Sequence, residues 1–138
     1  MDVLTASQRK KNMTAIKGRN TKPELLVRRV LFARGYRFRI HCKYLPGNPD
    51  IVLKKYRTAV FVNGCFWHRH ENCRYATTPA SNAAFWQKKF RENVARDQRN
   101  YELLQEMGWN VVIIWECQLR LWDEYLLGEN LERWLANA

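Results

Sequence analysis

Leu45-Pro46-Gly47-Asn48-Pro49-Asp50-Ile51-Val52-Leu53, joined through Lys54-Lys55-Tyr56-Arg57 to Thr58-Ala59-Val60-Phe61-Val62-Asn63-Gly64, is the stretch on which the fold turns. Two prolines and a glycine bend the chain before Asp50. Asp50 then opens a short apolar strand, DIVL, and TAVFVNG is the next. Runs this close in sequence pair as an antiparallel hairpin, which carries Asp50 toward the far end of its neighbour, near Val62 and Asn63.

Working outward toward the N-terminus, Tyr36 to Ile40 (YRFRI) reads as a third strand. Thr21-Lys22-Pro23-Glu24 before it is a capping box, with a hydroxyl able to cap, a glutamate three residues on, and a proline where helix amides have no partner. The helix it starts should run to Ala33, with Leu25, Leu26, Arg29, Val30 and Phe32 near its buried side and Gly35 ending it. Glu24 is thereby fixed in a first turn. Earlier still, Ser7 to Arg19 can form a short helix, with Met13 and Ile16 three apart, but nothing before Thr21 is obliged to fold without a partner.

Toward the C-terminus, Cys65 to Pro79 is irregular and crowded with Cys, His, Trp and Phe. Ser81 to Met107 is helical, and its length suggests a bend. Asn110 to Trp115 (NVVIIW) reads as a strand buried on both faces, and Trp122 to Leu135 as a final amphipathic helix. Helix, three strands, helix, strand, helix makes an α/β domain with a mixed sheet covered by helices. The 138 residues suffice for one sizeable core. The expected organisation is a basic segment over 1–20 and a single domain over 21–138.

Twenty-four Lys and Arg against 13 Asp and Glu give a formal charge of +11, which suits a polyanionic partner and disfavours a neutral small-molecule enzyme. The charge is segregated. Met1 to Lys43 holds 12 basic and two acidic residues, whereas from Glu102 onward there are two basic and seven acidic ones. The first end is built to meet phosphate, and the second faces solvent or packs on the core. No apolar run is long enough to span a bilayer and MDVLTASQRKK lacks the apolar middle of an export signal, so a cytoplasmic protein is expected.

In a reducing compartment four cysteines point to metal before disulfides. Cys65, His70 and Cys73 fall within nine residues. Cys117 supplies a fourth corner if its strand lies beside Thr58 to Gly64, giving a closed, structural zinc tetrahedron. Packed cysteines without metal are the other reading, and the spacing alone also lets His68 stand in for His70. His41 and Cys42 read as spectators.

For chemistry, Asp50 after Pro49 is a weak signal that its company strengthens: Glu24 at a helix start, His68 in the cysteine-rich loop, and Asp97 in RENVARD. Carboxylates and an imidazole can provide a metal seat and proton transfer for phosphodiester hydrolysis. Phe66-Trp67 and Phe85-Trp86 are adjacent aromatic pairs. They read either as wedges that unstack bases or as satellite packing around the zinc.

At these residues the chain resembles the very short patch repair endonucleases, bacterial enzymes related to type II restriction nucleases, over roughly Ser7 to Leu119. The stretches that carry the resemblance are KNMTAIKGRNTKPE, LPGNPDIV, VFVNGCFWHRHENC, FW with its following helix, NVARD and GWNVVIIWEC. It implies a restriction-endonuclease-like core and Mg2+-dependent nicking 5′ of the thymine in T:G mismatches left by 5-methylcytosine deamination. In that family pattern Asp50 binds the metal, His68 is the general acid or base, and Glu24 and Asp97 hold metal-bound water or orient His68. Cys65, His70, Cys73 and Cys117 hold zinc. Phe66, Trp67 and Trp86 intercalate from the major groove, while Met13 and Ile16 enter the minor groove.

Two departures stand out. Val62 and Asn63 replace a Thr-His found in some relatives, which leaves the Val62 backbone carbonyl as the second Mg2+ contact. The loop HRHENC is one residue longer than in some relatives, and its Arg69 adds a charge able to meet phosphate. Expected partners are mismatched duplex DNA, mismatch-repair proteins and a companion cytosine methyltransferase, with the protein acting as a monomer. The competing readings are a nuclease of the same fold with relaxed or different sequence preference, and a zinc-containing protein that bends DNA without cutting it.

Overall fold

The first helix starts where its side chains tell it to. In the computed structural model, which describes residues 20–137, the Thr21 hydroxyl accepts the Glu24 N–H at 3.4 Å, and the Glu24 carboxylate reaches back to the Asn20 N–H at 3.2 Å. Helix α1 (Lys22–Ala33) follows. It ends at Gly35, whose φ of +89° lets the Tyr36 N–H turn back to the Leu31 carbonyl at 3.1 Å. The inward face differs from the expected one: Val27, Val30 and Leu31 are buried together with Glu24, while Leu25, Arg29 and Phe32 are exposed. Glu24, Val27, Arg28 and Leu31 form one i, i+3, i+4, i+7 stripe, so the inward stripe includes charged residues that a purely apolar reading passes over.

Four strands build the sheet in the order β1 (Arg39–Ile40), β2 (Ile51–Leu53), β3 (Thr58–Asn63), β4 (Asn110–Trp115). The first three run antiparallel and β4 runs parallel to β3. Of the expected strand Tyr36–Ile40 only the last two residues are paired, because Tyr36 belongs to the helix-ending turn and packs its ring on Tyr56 at 5.5 Å. Strand β4 is not buried on both faces. It is an edge strand, and Ile114 alone of its six residues is fully buried.

Past β3 the chain makes a one-turn helix, α2 (Cys65–His68), inside the segment read as irregular. Helix α3 (Ala83–Glu106) runs 24 residues without interruption. The expected last helix, Trp122 to Leu135, is α5 (Glu124–Ala136), and a short helix that was not expected, α4 (Glu116–Leu121), precedes it. They are separated by an extended Trp122 and restarted by Asp123, whose carboxylate caps the Leu126 N–H at 2.8 Å.

Period-two alternation divides the core between the two faces of the sheet. Ile51, Leu53 and Val60 face Val27, Leu31, Leu127 and Leu131 of α1 and α5, whereas Val52, Ala59 and Phe61 face Leu104, Trp109, Leu45 and Cys42. A mixed sheet with helices on both faces is a restriction-endonuclease-like α/β fold. The acidic C-terminal region packs on the basic N-terminal one: Arg34 pairs with Glu129 and Glu132 at 3.3 and 3.2 Å, and Arg29 with Glu124. Among the described residues no helix is long and apolar enough to cross a membrane.

Leu31 is 1% exposed at the centre of the α1/α5 layer. Leu31→Ala should lower the unfolding free energy by about 2–5 kcal/mol, read as a lower urea midpoint with an unchanged slope; a shift under half a kcal/mol would place Leu31 outside the core.

Candidate active site and metal centre

Strand β2 begins only at Ile51, opposite Val60, while β3 continues to Asn63, so Val62 lies beyond the last backbone pairing on that side. The Asp50 side chain fills the gap and accepts the Val62 N–H at 2.7 Å. Burial, aided by the like charge of Glu24, pushes the Asp50 carboxyl up to about 6 against the Val62 hydrogen bond and the positive charges of His68 and Arg28. Glu24 arrives from the first turn of α1. A third group joins these two, and sequence reading had set it aside: donor atoms of Glu24, His41 and Asp50 all lie within 4.8 Å of one another. His41 is placed by the ladder, for Ile40 pairs with Ile51 and the His41 N–H reaches the Asp50 carbonyl at 3.3 Å. The strand register held that signal. Cys42 lies in the core and, as expected, outside both clusters.

On the facing wall of the same cleft, His68 Nδ1 meets Asp97 Oδ2 at 2.6 Å. The helix α2 turns His68 inward and α3 carries Asp97. Asn93, one turn before Asp97, donates to the Trp67 carbonyl at 3.3 Å and ties the two helices together. The cleft, of about 1220 Å³, is lined by Glu24, His41, Asp50, Val62, His68 and Asp97. Lysines 22, 43 and 89 and Arg96 also border it, so the acidic floor has a basic rim. One further polar pair in the wall had no sequence signal: the Asn63 amide donates to the Tyr101 hydroxyl at 2.9 Å, and burial holds that hydroxyl protonated, its pKa pushed up to about 12.

Cys65, His70, Cys73 and Cys117 converge, their donor atoms within 4.8 Å of one another. His70 Nδ1 is 3.3 Å from Cys117 Sγ and 3.8 Å from Cys65 Sγ, and His68 lies outside the group. Arg69, at a φ of +55°, reverses the chain after α2. Because Asn63 pairs with Trp115 in the parallel β3/β4 ladder, Cys65 and Cys117 emerge side by side two residues on. Trp115 stacks on the His70 ring at 4.3 Å. Burial raises the Cys65 thiol to about 12, and a cation bound among these donors would favour its thiolate. The donor set fits a tetrahedral structural zinc, with no open position.

The Arg69 side chain is engaged within its own loop. Its guanidinium donates to the carbonyls of Phe66, Ala76 and Thr77 and to the Thr78 hydroxyl at 2.9–3.3 Å, and lies 3.9 Å over the Phe90 ring. It is the internal staple of the longer loop. The aromatics form one half-exposed cluster, with Phe66 against Trp67, Trp86 and Phe90 at 4.9, 6.0 and 5.2 Å. Phe66 and Trp67 line the cleft while Trp86 lies behind them. Met13 and Ile16, and the basic segment before Asn20, lie outside the described residues.

Residues 1–74 match the profile of the family described as DNA mismatch endonuclease Vsr. The chain belongs to the Vsr family. It is 44% identical to the DNA mismatch endonuclease Vsr of Escherichia coli, over 98% of this chain and 88% of that one. It is likewise 44% identical to the type II nicking enzyme V.NmeAIP of Neisseria meningitidis, over 96% and 92%, and 45% identical to the type II nicking enzyme V.XorIIP of Xanthomonas oryzae pv. oryzae, over 86% of each. Nuclease activity, and with it DNA binding, comes with membership of this Vsr group.

Two measurements probe the site. Chelating zinc, or Cys117→Ala, should expose 65–79 to protease and change Trp115 fluorescence before any hydrolytic metal is lost; full protection in zinc-free protein would remove zinc from the fold. For Asp50, a folded value raised above the unfolded one means that the native state holds the extra proton between about pH 4 and 6. Stability of protein free of added Mg2+ should therefore fall across that window as pH rises, and Asp50→Asn should flatten the fall relative to wild type. Parallel pH profiles for the two proteins would contradict the raised value.

Proposed function

We propose that the chain is a Mg2+-dependent, strand-specific endonuclease that nicks 5′ of the thymine in T:G mismatches derived from 5-methylcytosine deamination. The observation that carries the reading is one cleft with a buried carboxylate cluster on one wall and a carboxylate-oriented imidazole on the other. Asp50, with Glu24 at its side, would hold the ion. A strand residue's N–H and C=O point to the same neighbour, so the Val62 carbonyl faces the side on which its N–H meets Asp50, and it fits a second contact. Mg2+, when bound, supplies positive charge at the scissile phosphate. Asp97 orients His68 through Nδ1, which leaves Nε2 for the cleft as the atom that takes or gives a proton.

Phe66 and Trp67 at the lip, backed by Trp86, support a wedge on one side of the duplex; Met13 and Ile16 on the basic segment 1–20 would grip the other groove. A mismatch is a weak step in the stack, so wedging there costs less than at a paired step. The expected setting is a cytoplasmic monomer, nucleoid-associated when on DNA, alongside a cytosine methyltransferase and mismatch-repair proteins. A second reading is favoured by the relatives described as type II nicking enzymes: the same nicking chemistry with a relaxed mismatch preference or another flanking sequence. A DNA-bending protein without catalysis is disfavoured, since a pure binder gains nothing from buried carboxylates beside phosphate.

Nicking of labelled duplexes carrying T:G or T:A in varied contexts, with the ends mapped, separates these readings. Asp50→Ala should lower nicking more than about 100-fold, beyond the loss of an outer-shell partner, while duplex binding persists; unimpaired cleavage would refute the assignment. Trp67→Ala should reduce the ratio of T:G to T:A cleavage, and an unchanged ratio would show that the ring is no wedge.

A further inference from the structure

The Asn63–Tyr101 pair stands in the cleft wall with no part in the chemistry proposed above. Two elements place it. Phe61 and Asn63 are two residues apart on β3 and so project from the same face. The Phe61 ring meets the Tyr101 ring edge-on at 5.1 Å, and the amide of the buried Asn63 donates to the Tyr101 hydroxyl at 2.9 Å. On α3, Asn93, Asp97 and Tyr101 follow one another at four-residue steps and share one face, so the side of the helix that ties down Trp67 and aims His68 also carries the phenol. A phenolic hydroxyl has one proton to give and lone pairs with which to accept. The Asn63 amide takes a lone pair, and among the described residues no group accepts the proton. Burial first, then the charges of Asp97 and Asp50, push the hydroxyl up to about 12 against the Asn63 hydrogen bond. It therefore remains an O–H donor at neutral pH, and it lies in the field of both acids.

We propose that the Tyr101 hydroxyl is a further catalytic group, donating a hydrogen bond to a non-bridging oxygen of the scissile phosphate. The inference rests on the metal-nuclease reading above, in which the phosphate lies between the acid wall of Asp50 and the imidazole of His68. Tyr101 borders the same cleft as both. Negative charge gathers on the phosphoryl oxygens as the diester is attacked, and a donor already held in place stabilises it without first having to turn. Phe61 fixes the ring from its side and Asn63 fixes the oxygen, so the direction of the O–H is set before substrate arrives. The bond transfers no proton. The phenol keeps its hydrogen throughout, and proton transfer stays with the imidazole.

The test compares single-turnover nicking by full-length, zinc-loaded wild type and Tyr101→Phe on three T:G duplexes. They differ only at the scissile phosphate, which carries oxygen, or sulfur in place of one or the other non-bridging oxygen. Tyr101→Phe keeps the ring and its contact with Phe61, so it should melt like wild type and bind the duplex as tightly. It should nevertheless cut the all-oxygen duplex about 10–100-fold more slowly, the loss expected for one hydrogen bond to a charged group. Sulfur accepts hydrogen bonds poorly, so on one sulfur duplex the wild type has already lost the bond and the gap between the two proteins should close. On the other it should persist, since sulfur at an oxygen that meets only the ion slows both proteins alike. Cutting by Tyr101→Phe at the wild-type rate, or a gap that is the same on the two sulfur duplexes, would overturn the inference; so would loss of folding in Tyr101→Phe, which would make the hydroxyl a structural group. Failure of wild type to nick, or unimpaired cleavage by Asp50→Ala, would instead bring down the metal-nuclease reading and this inference with it. With those two controls as expected, the sulfur comparison judges Tyr101 alone.

Discussion

A single hydrogen bond, from the Val62 N–H to the Asp50 carboxylate, joins the fold to the site. It exists because β3 outlasts β2, and a strand end left unpaired inside a protein must find another acceptor. The acceptor here is an acid. Its carboxylate is thereby fixed at the mouth of the hairpin, buried enough to resist ionisation and close to the Glu24 carboxylate. The surrounding devices keep that geometry rigid: the capping box that sets Glu24 and the register that sets His41.

The parallel β3/β4 ladder serves the other end. It aligns Asn63 with Trp115, and so delivers Cys65 and Cys117 to the same corner. The loop between β3 and α3 cannot make a core of its own, having no Val, Leu, Ile or Met and being rich in turns. The four ligands and the Arg69 staple give it fixed points. His68 lies between two of the ligands, and its ring is aimed by Asp97 from α3. The imidazole proposed for catalysis and three of the four Cys/His cluster residues therefore share one short segment, and the placing of the first depends on the second.

How much of this was legible in the sequence follows from the range of each signal. The Thr21–Glu24 cap, the Asp50–Val62 hairpin and the four ligands are local, or follow from one strand pairing, and reading residue by residue finds them. The exposed Phe32 and Leu25 and the edge position of β4 were misread because apolar character was taken as burial, while the helix gave its inward stripe to Glu24 and Arg28. His41 was passed over because its role needs the β1–β2 register, which two paired residues barely announce. Arg69 looked like a phosphate contact by charge alone. Only the folded loop shows four backbone and hydroxyl oxygens already around it.

That engagement of Arg69 has a thermodynamic meaning. By clasping the carbonyls of Phe66, Ala76 and Thr77 and lying on Phe90, it freezes the ring cluster while the chain folds, so the rotamer entropy of Phe66 and Trp67 is surrendered then and not on contact with a ligand. A surface prepared in this way has little left to adjust. In the proposed wedge, discrimination at these rings then comes from how readily the other molecule deforms.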